Sequence, residues 1–590
     1  MIRNISILLV LIAVVALPFA FRQETGVREW KEGDPVLVVI TPMNEAIRHE
    51  YALAFSRWHA QNYGAPVKVD WRNIGGSTEI SRYLTSEFVA SFRAWWTGLG
   101  KPWRSDGGAI ILNRSFNPNV KPDGVKDSDW QVQQELYRAF RETDDPKKFS
   151  SQIDMYFGGG AFDGDNATRQ GLLVPAWGPG EIPPGLIATE SGEELIPAGM
   201  SGETWRTPTY YGTTLSTFGM CYNRDRMREQ GMDGDLEHWQ DLGDTRWRGT
   251  LGLADPTKSG SIAKAFETIL QVQCRVEVEA AGFGPQVDEF EKFIAAAKLP
   301  LGQLPESVPL DYQMAMETGW ANGLRLIQRI GANARYFTDS ASKVPLDVGM
   351  GNAAAGLCID FYGRFEAEIS NGERAEKSMG YVTPRGESGV SADPISLLRG
   401  APHRETAKHF IEFLLSESGQ QLWCYRVGEP GGPQKYALQR FPIRRDFYPS
   451  DHPAFQAAYE RHRAHTTEDL GTPTLNAYRL AEEYVYHPRW TAGYYGLLRD
   501  LVRAMCMDSG VELRAAWIVI CEAGGPEACP HAMEALTRLP QTPEPLTWLS
   551  GLGMGKKYDR LDLLREWTIQ FRAQYAEAER LAREEAEARP

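Results

Sequence analysis

Val36-Leu37-Val38-Val39-Ile40 is a run of five apolar residues without a polar break, the pattern of a strand covered on both faces, as in a parallel sheet. Thr41 and Pro42 end it, and Asn44 suits the cap of a following helix. Ile47, Tyr51, Phe55 and Trp58 then recur at helical spacing as one core-facing stripe. Gly64 stops the helix, and Val67 to Trp71 supplies a second strand. Strand, helix and strand make a βαβ unit, whose crossover is right-handed. A chain that begins this way is committed to an open α/β sheet, and such sheets bind ligands beyond the carboxyl ends of their strands. Here those ends are Thr41–Asn44 and Asn73–Thr78.

The alternation resumes after a segment of different character. Residues 88–150, rich in Trp, Arg, Asp and Pro with a helix expected at 129–142, read as an insertion. Ile153 to Phe157 is a short apolar run ahead of Gly158-Gly159-Gly160, and Thr209 to Tyr222 is β-rich in its Thr and aromatic content. Thr250 to Ala254 predicts a strand that turns at Asp255-Pro256 and enters a helix near Ile262. A long helix is expected over Gly319 to Tyr336, a strand over Ala354 to Ile359, and helices over His403 to Leu415 and Gly419 to Tyr425. Beyond about 441 the chain becomes helix-dominated, with a Pro-rich joint at 540–545. It ends in a helix over 557–588, with Leu561, Leu564, Phe571, Tyr575 and Ala578 on the face expected to dock on its own domain.

A net charge of -14 without any Lys/Arg block argues against a nucleic-acid partner, which calls for a clustered basic surface. The run Ile5 to Phe21 is apolar except for Ser6 and Pro18. Its length lies between a signal-peptide core and the shortest spanning helix. Residues 1–25 therefore read as an export signal, either cleaved or retained as a membrane anchor, and no lipobox is present because the first cysteine is Cys221. None of the seven cysteines forms a CxxC pair, which disfavours zinc, and Cys521 and Cys529 are close enough in sequence to bridge. No P-loop, HExxH or GxSxG motif occurs, so neither a catalytic residue nor a cofactor is expected. His462 and His465 read as part of a solvated helix surface.

Several segments resemble the extracellular solute-binding proteins of ABC importers, in the ferric-iron, phosphonate and phosphosugar branch. They are TPMNEAIRHEYALAF (41–55), IGGSTEI (74–80), YFGGGAFD (156–163), GETWRTPTYYGTTLSTFGMCYNRD (202–225), LADPTKSGS (253–261), the stretch 319–365 and the stretch 391–423. The resemblance covers roughly 35–445 and omits 88–150 and most of 446–590. It implies a two-lobed type II periplasmic-binding α/β fold, with an insertion in lobe one and a helical C-terminal extension. Lobe one would span 35–215 plus 382–440, lobe two 216–381, and the extension 441–590. It further implies a small-molecule ligand, a membrane permease with a separate ATPase subunit, a monomeric binder and a place in the periplasm or on the outer face of the inner membrane.

Within that frame, Ser259-Gly260-Ser261 joins two hydroxyls to a helix start, which carries a partial positive charge and free N–H groups for an anion. Simple N-capping is the bland alternative. Ser77 and Thr78 repeat the arrangement in the other lobe, and Gly159 and Gly160 allow close backbone approach, although a turn would use the same residues. Thr41 and Asn44 end the first strand; Tyr211 and Thr214 complete the expected ligand set along the β-rich segment. Asp360 and Tyr362 end the strand before them, Asp360 as partner for a cationic group or as a hinge residue paired to Arg364. In iron-binding relatives adjacent tyrosines lie in the second lobe, whereas Tyr210-Tyr211 falls elsewhere in the chain order. No metal ligand set is expected, and ferric iron stands below a small anionic or zwitterionic solute. A membrane-tethered sensor or scaffold, with 446–590 contacting a partner, is the alternative of another class.

Overall fold

The computed structural model describes residues 29–300, 302–372 and 377–589, so the apolar N-terminal run lies outside it. The expected first unit is present as β1 (Val36–Ile40), α1 (Glu45–Tyr63) and β2 (Lys68–Arg72). Asn44 caps α1 by accepting the Ile47 N–H, and Gly64 closes it at φ 79°, where a side chain would be strained. Ile47, Tyr51 and Phe55 are buried against the sheet.

α2 (Ser77–Gly98) buries Ile80, Leu84, Phe88, Phe92 and Trp96, one residue every fourth. Residues 88–98 therefore belong to this helix rather than to an insertion. The regularity of that apolar stripe outweighs the Trp/Arg-rich composition that suggested a break. α3 (Asp127–Glu142) packs Leu136 and Phe140 against α2, forming a satellite core with Phe149 and Ile153.

The chain continues through β3 (Met155–Phe157), α4 (Ala161–Gln170), β4 (Leu173–Val174), β5 (Tyr210–Ser216), β6 (Phe218–Asn223), β7 (Leu251–Ala254) and α5 (Gly260–Ala280). α6 (Leu310–Ala332) then leads into β8 (Ala334–Thr338), β9 (Ala355–Ile359), α7 (Asp360–Asn371), β10 (Met379–Val382) and β11 (Ser391–Leu398). Helices α8 (Arg404–Leu415) and α9 (Glu417–Cys424) precede the short β12 (Phe441–Pro442). The helix expected over 319–336 ends at Ala332. Tyr336 instead enters β8, whose pairing with β7 outweighs the helical pattern.

Among the described residues two main sheets result, one per lobe, beside a two-stranded ribbon of Gly199–Met200 and Glu203–Thr204. The first runs β12-β5-β11-β3-β1-β2, with β4 also on β11; β1 is parallel to β2 and β3. The second runs β8-β7-β9-β6-β10, with β7 parallel to β8 and β9. The chain crosses between lobes at Thr217 and over 383–390. There Thr217 and Thr383 share a hydroxyl contact of 2.7 Å, and Ser388 donates to the Phe218 carbonyl.

The helical C-terminal region, including α10 (Tyr495–Val502), α11 (Gly510–Glu522) and α12 (Arg560–Glu587), docks on the second lobe through buried polar side chains. Gln271 donates to the His487 carbonyl and the Thr491 hydroxyl, each at 2.8 Å. Gln328 does the same to the Leu536 carbonyl and the Tyr575 hydroxyl, and the Trp517 indole donates to Asn333. Buried polar groups of this kind require partners, so these pairings fix how the region sits.

Three expectations fail here for tertiary reasons. Leu561 is exposed, and the buried face of α12 is Leu563, Trp567, Phe571, Tyr575 and Ala578. His462 is 1% exposed, stacked on Phe447 at 3.8 Å with the Tyr425 hydroxyl on Nδ1, so it is a core residue. Cys521 and Cys529 are free, as are the other five cysteines. Among the described residues no helix is long and apolar enough to cross a membrane.

Candidate functional site between the lobes

The carboxyl ends of the parallel strands of both sheets deliver helix starts to one region. A Cβ on Gly76 would stand 2.7 Å from the Lys258 carbonyl, and one on Gly260 would stand 3.2 Å from Ser77 Oγ. The two hydroxyl-bearing helix starts, one from each lobe, are thus in contact, and glycine is what permits the approach.

Around this contact the polar groups divide into those already committed and those still available. Ser259 caps α5 by accepting the Ile262 N–H and meets Ser261 at 3.1 Å. Ser77 bonds the Asp163 carboxyl, and Thr78 accepts from Arg499 at 2.7 Å. Thr41 accepts the Met43 N–H and Asn44 caps α1. Gly159, at φ 80°, could not carry a side chain without striking the Tyr156 hydroxyl, whereas Gly160 faces open space at the start of α4.

The hydroxyls of Tyr211 and Thr214 are engaged within the first lobe. The Tyr211 hydroxyl donates to the Pro208 carbonyl with its ring against Trp177, and Thr214 donates to the Phe441 carbonyl at 2.8 Å. β5 is an interior strand, and its side chains are absorbed by the layers on both faces of the sheet. Tyr210 is likewise spent on Asp165, at 2.9 Å.

Asp360 occupies the crossing. Its N–H donates to the Thr217 carbonyl, Oδ1 accepts the Phe361 N–H at 2.8 Å, and Oδ2 has no hydrogen-bond partner in a side chain 1% exposed. Burial pushes its carboxyl from 3.8 up to about 6, against the pull of the Arg364 and Arg440 guanidiniums. Arg364 is not its hydrogen-bond partner, being engaged with Glu468 and the Gln439 carbonyl. Tyr362 lies against Phe361 at 4.1 Å, and burial raises its phenol to about 12.

Four residues of this region carry no obvious local signal. The Tyr156 hydroxyl is buried without a partner, and burial, followed by the charges of Asp163 and Asp393, pushes it up. Burial also raises Asp163, against its bond to Ser77 and the charge of Arg499. Arg440, fully enclosed, ties Asp393 to Ser216 and lies 4.2 Å over the Phe361 ring. Tyr156 and Asp163 flank the three glycines, and that adjacency is the one clue the sequence offers to them. Arg440 and Asp393 are brought in from far along the chain.

An open cavity of about 420 Å³ adjoins the contact on the second-lobe side, lined by Asp255, Lys258, Thr338, Asp339, Lys343 and Met507 among others. It shares only Lys258 with the interlobe contact. Its lysines are exposed, so the unpartnered buried groups, rather than this volume, mark the candidate site. Among the described residues no cluster of three or more His, Cys, Asp or Glu side chains could hold a metal ion.

Residues 185–448, which carry the second sheet and the crossings, match the model of the family described as bacterial extracellular solute-binding protein. The solute-binding match leaves out the first βαβ unit and most of the C-terminal helices. A putrescine/agmatine-binding protein of Pseudomonas aeruginosa is 24% identical over 341 residues, covering 52% of this chain and 81% of its own length. An uncharacterized protein of Haemophilus influenzae is 22% identical over 278 residues, 47% of this chain; the match spans 62% of that relative's length. Among solved structures, the periplasmic binding protein AfuA of Actinobacillus pleuropneumoniae, with fructose-6-phosphate bound, aligns at 15% identity and a TM-score of 0.40. That alignment covers 72% of this chain and 96% of the other.

Proposed function

We propose that this protein is the extracytoplasmic substrate-binding component of an ABC importer and that it captures a small anionic or zwitterionic solute by closing its lobes. The observation that carries this reading is the meeting of hydroxyl-bearing helix starts from both lobes, together with buried, unpartnered oxygens on Tyr156 in the first lobe and on Asp360 at the crossing. Helix-start amides and hydroxyls suit a phosphate or carboxylate, and Asp360 suits an ammonium at the other end. Lobe closure around a ligand at a hinge is a known mode of capture in such clamps. The closed form would then dock on a permease, with ATP hydrolysed by a separate subunit. Ferric iron is less well served, because Tyr210 and Tyr211 hydroxyls are committed inside the first lobe.

Thermal melting of the chain against sugar phosphates, phosphonates, zwitterionic amines, polyamines and ferric citrate tests this. A raised midpoint with a phosphorylated or zwitterionic compound is the expected result. A shift with ferric citrate alone, accompanied by a visible tyrosinate band, would replace the proposed ligand class with iron, and no shift with any compound would overturn capture.

A further inference from the structure

The two lobes are not the only bodies at the cleft. α10, from the C-terminal helical region, reaches across it. Arg499 Nε donates to the Pro256 carbonyl at 2.6 Å, and Nη2 donates to the Thr257 carbonyl at 2.8 Å and to Thr78 Oγ1 at 2.7 Å. Pro256 and Thr257 precede the helix start of the second lobe, and Thr78 lies in the helix start of the first. One guanidinium therefore bridges the same two loops that form the candidate site. One turn earlier, the Tyr495 hydroxyl donates to the Gly260 carbonyl at 3.0 Å while its ring meets Phe162 of the first lobe at 4.6 Å.

The platform that carries the bridge is held mainly to the second lobe, with one backbone bond to the first lobe near the crossing, from the Tyr486 N–H to the Ser201 carbonyl at 2.8 Å. The segment just before α10 is held to α5 of the second lobe by Gln271 and Glu267, which bond Thr491, and by the Glu267 bond to Tyr486. Thr78 and Phe162 are therefore contacts that a rigid second-lobe unit makes with the opposite lobe. Near the crossing a second link exists, with Lys264 placed between Glu203 and Glu267 under the Tyr486 ring. There Glu203 lies beside Gly389 of the crossing segment, where little movement is needed for a hinge.

We infer that Arg499 is a positioning residue of the cleft: by bonding Thr78 from a second-lobe platform it holds the lobes together and so sets the balance between open and closed forms. This rests on the capture reading only for its consequence, since a ligand that binds one form is weakened or strengthened as that form's population changes. A planar guanidinium suits the task because its fixed fork reaches several acceptors at once.

The test measures lobe separation directly. Spin labels at Arg82→Cys and Ser340→Cys, both exposed and on opposite lobes, report the distance by pulsed electron paramagnetic resonance in the full chain, with Cys521→Ser removing the one cysteine that is not buried. The parent should give a single narrow distance. Arg499→Ala and Thr78→Val should each add a longer-distance population, raising the open fraction on the order of tenfold for a lost charge-assisted bond. Arg499→Lys should fall between. An unchanged distance distribution in Thr78→Val and Arg499→Ala, at unchanged circular dichroism, would overturn the proposal. If Arg499→Ala does not fold, Thr78→Val decides by itself. Because no ligand is added, failure of the ligand screen would remove capture and leave the clasp standing, whereas unchanged distances beside a positive screen would remove the clasp alone.

Discussion

Asp360→Asn should make the protein more stable at neutral pH. The wild-type carboxyl is buried at the crossing with one oxygen unpartnered, and its pKa lies at about 6 instead of 3.8. Between those values the folded chain holds the proton more firmly than the unfolded chain. Stability therefore falls as pH rises through that window and stays lowered above it. At about 1.4 kcal/mol for each tenfold step, the penalty at pH 7.5 is about 3 kcal/mol. The Asn amide keeps the acceptor that the Phe361 N–H uses and removes the buried charge. For 590 residues, unfolding entropy of roughly 2.1 cal/mol/K per residue converts that gain to about 2–3 °C in midpoint if the chain melts as one unit. Differential scanning calorimetry of both proteins at pH 4 and pH 7.5 reads it. The midpoints should nearly coincide at pH 4 and separate at pH 7.5 with the variant higher. A variant that melts lower at pH 7.5, or by the same offset at both pH values, would refute the reasoning. The same substitution should weaken binding of any ligand with an ammonium group, as expected where a site is kept at the expense of stability.

Two further perturbations address other parts of the structure. Burial lowers His462 to about 4, so the folded chain resists a proton that the unfolded chain takes up below about pH 6.5. Wild-type stability should drop as pH falls from about 6.5 towards 4, and His462→Phe, which can retain the stack on Phe447, should flatten that slope in pH-dependent urea unfolding. Trp517→Ala removes a fully buried indole and strands its Asn333 partner, and should cost about 3–5 kcal/mol in denaturant unfolding. A loss under about 1 kcal/mol would show that the C-terminal helices contribute little to the second lobe.

What could be read before the fold was seen was local. The VLVVI strand, the Asn44 cap, the Gly64 stop and the Ser259 cap each depend on neighbours within a few residues, and each occurs where its pattern places it. Gly159 was legible as a place of close approach, though not that the Tyr156 hydroxyl is what approaches it. Tyr211 and Thr214 look like site residues in a one-dimensional reading because nothing local says that β5 is an interior strand. His462 failed for the same reason, its burial being imposed by Phe447 and Tyr425. Arg499 lies 421 residues from the hydroxyl it bonds, a separation across which no spacing or periodicity carries information. Long-range polar pairs are therefore the part of this site that only the fold reveals.

The docking of the C-terminal helices on the second lobe bears on how the protein can be cut. The buried amides of Gln271 and Gln328 find their partners beyond residue 486, and the Oδ1 of buried Asn333 accepts from the Trp517 indole. A chain ending near 445 would present these amides, together with the apolar surface around Trp320 and Ile327, to water. The second lobe of the α/β clamp is thus expected to depend on these helices for its stability. Swaps, fusions and truncations that treat residues 35–440 as a portable module should yield insoluble protein, while those that carry the helices along should fold.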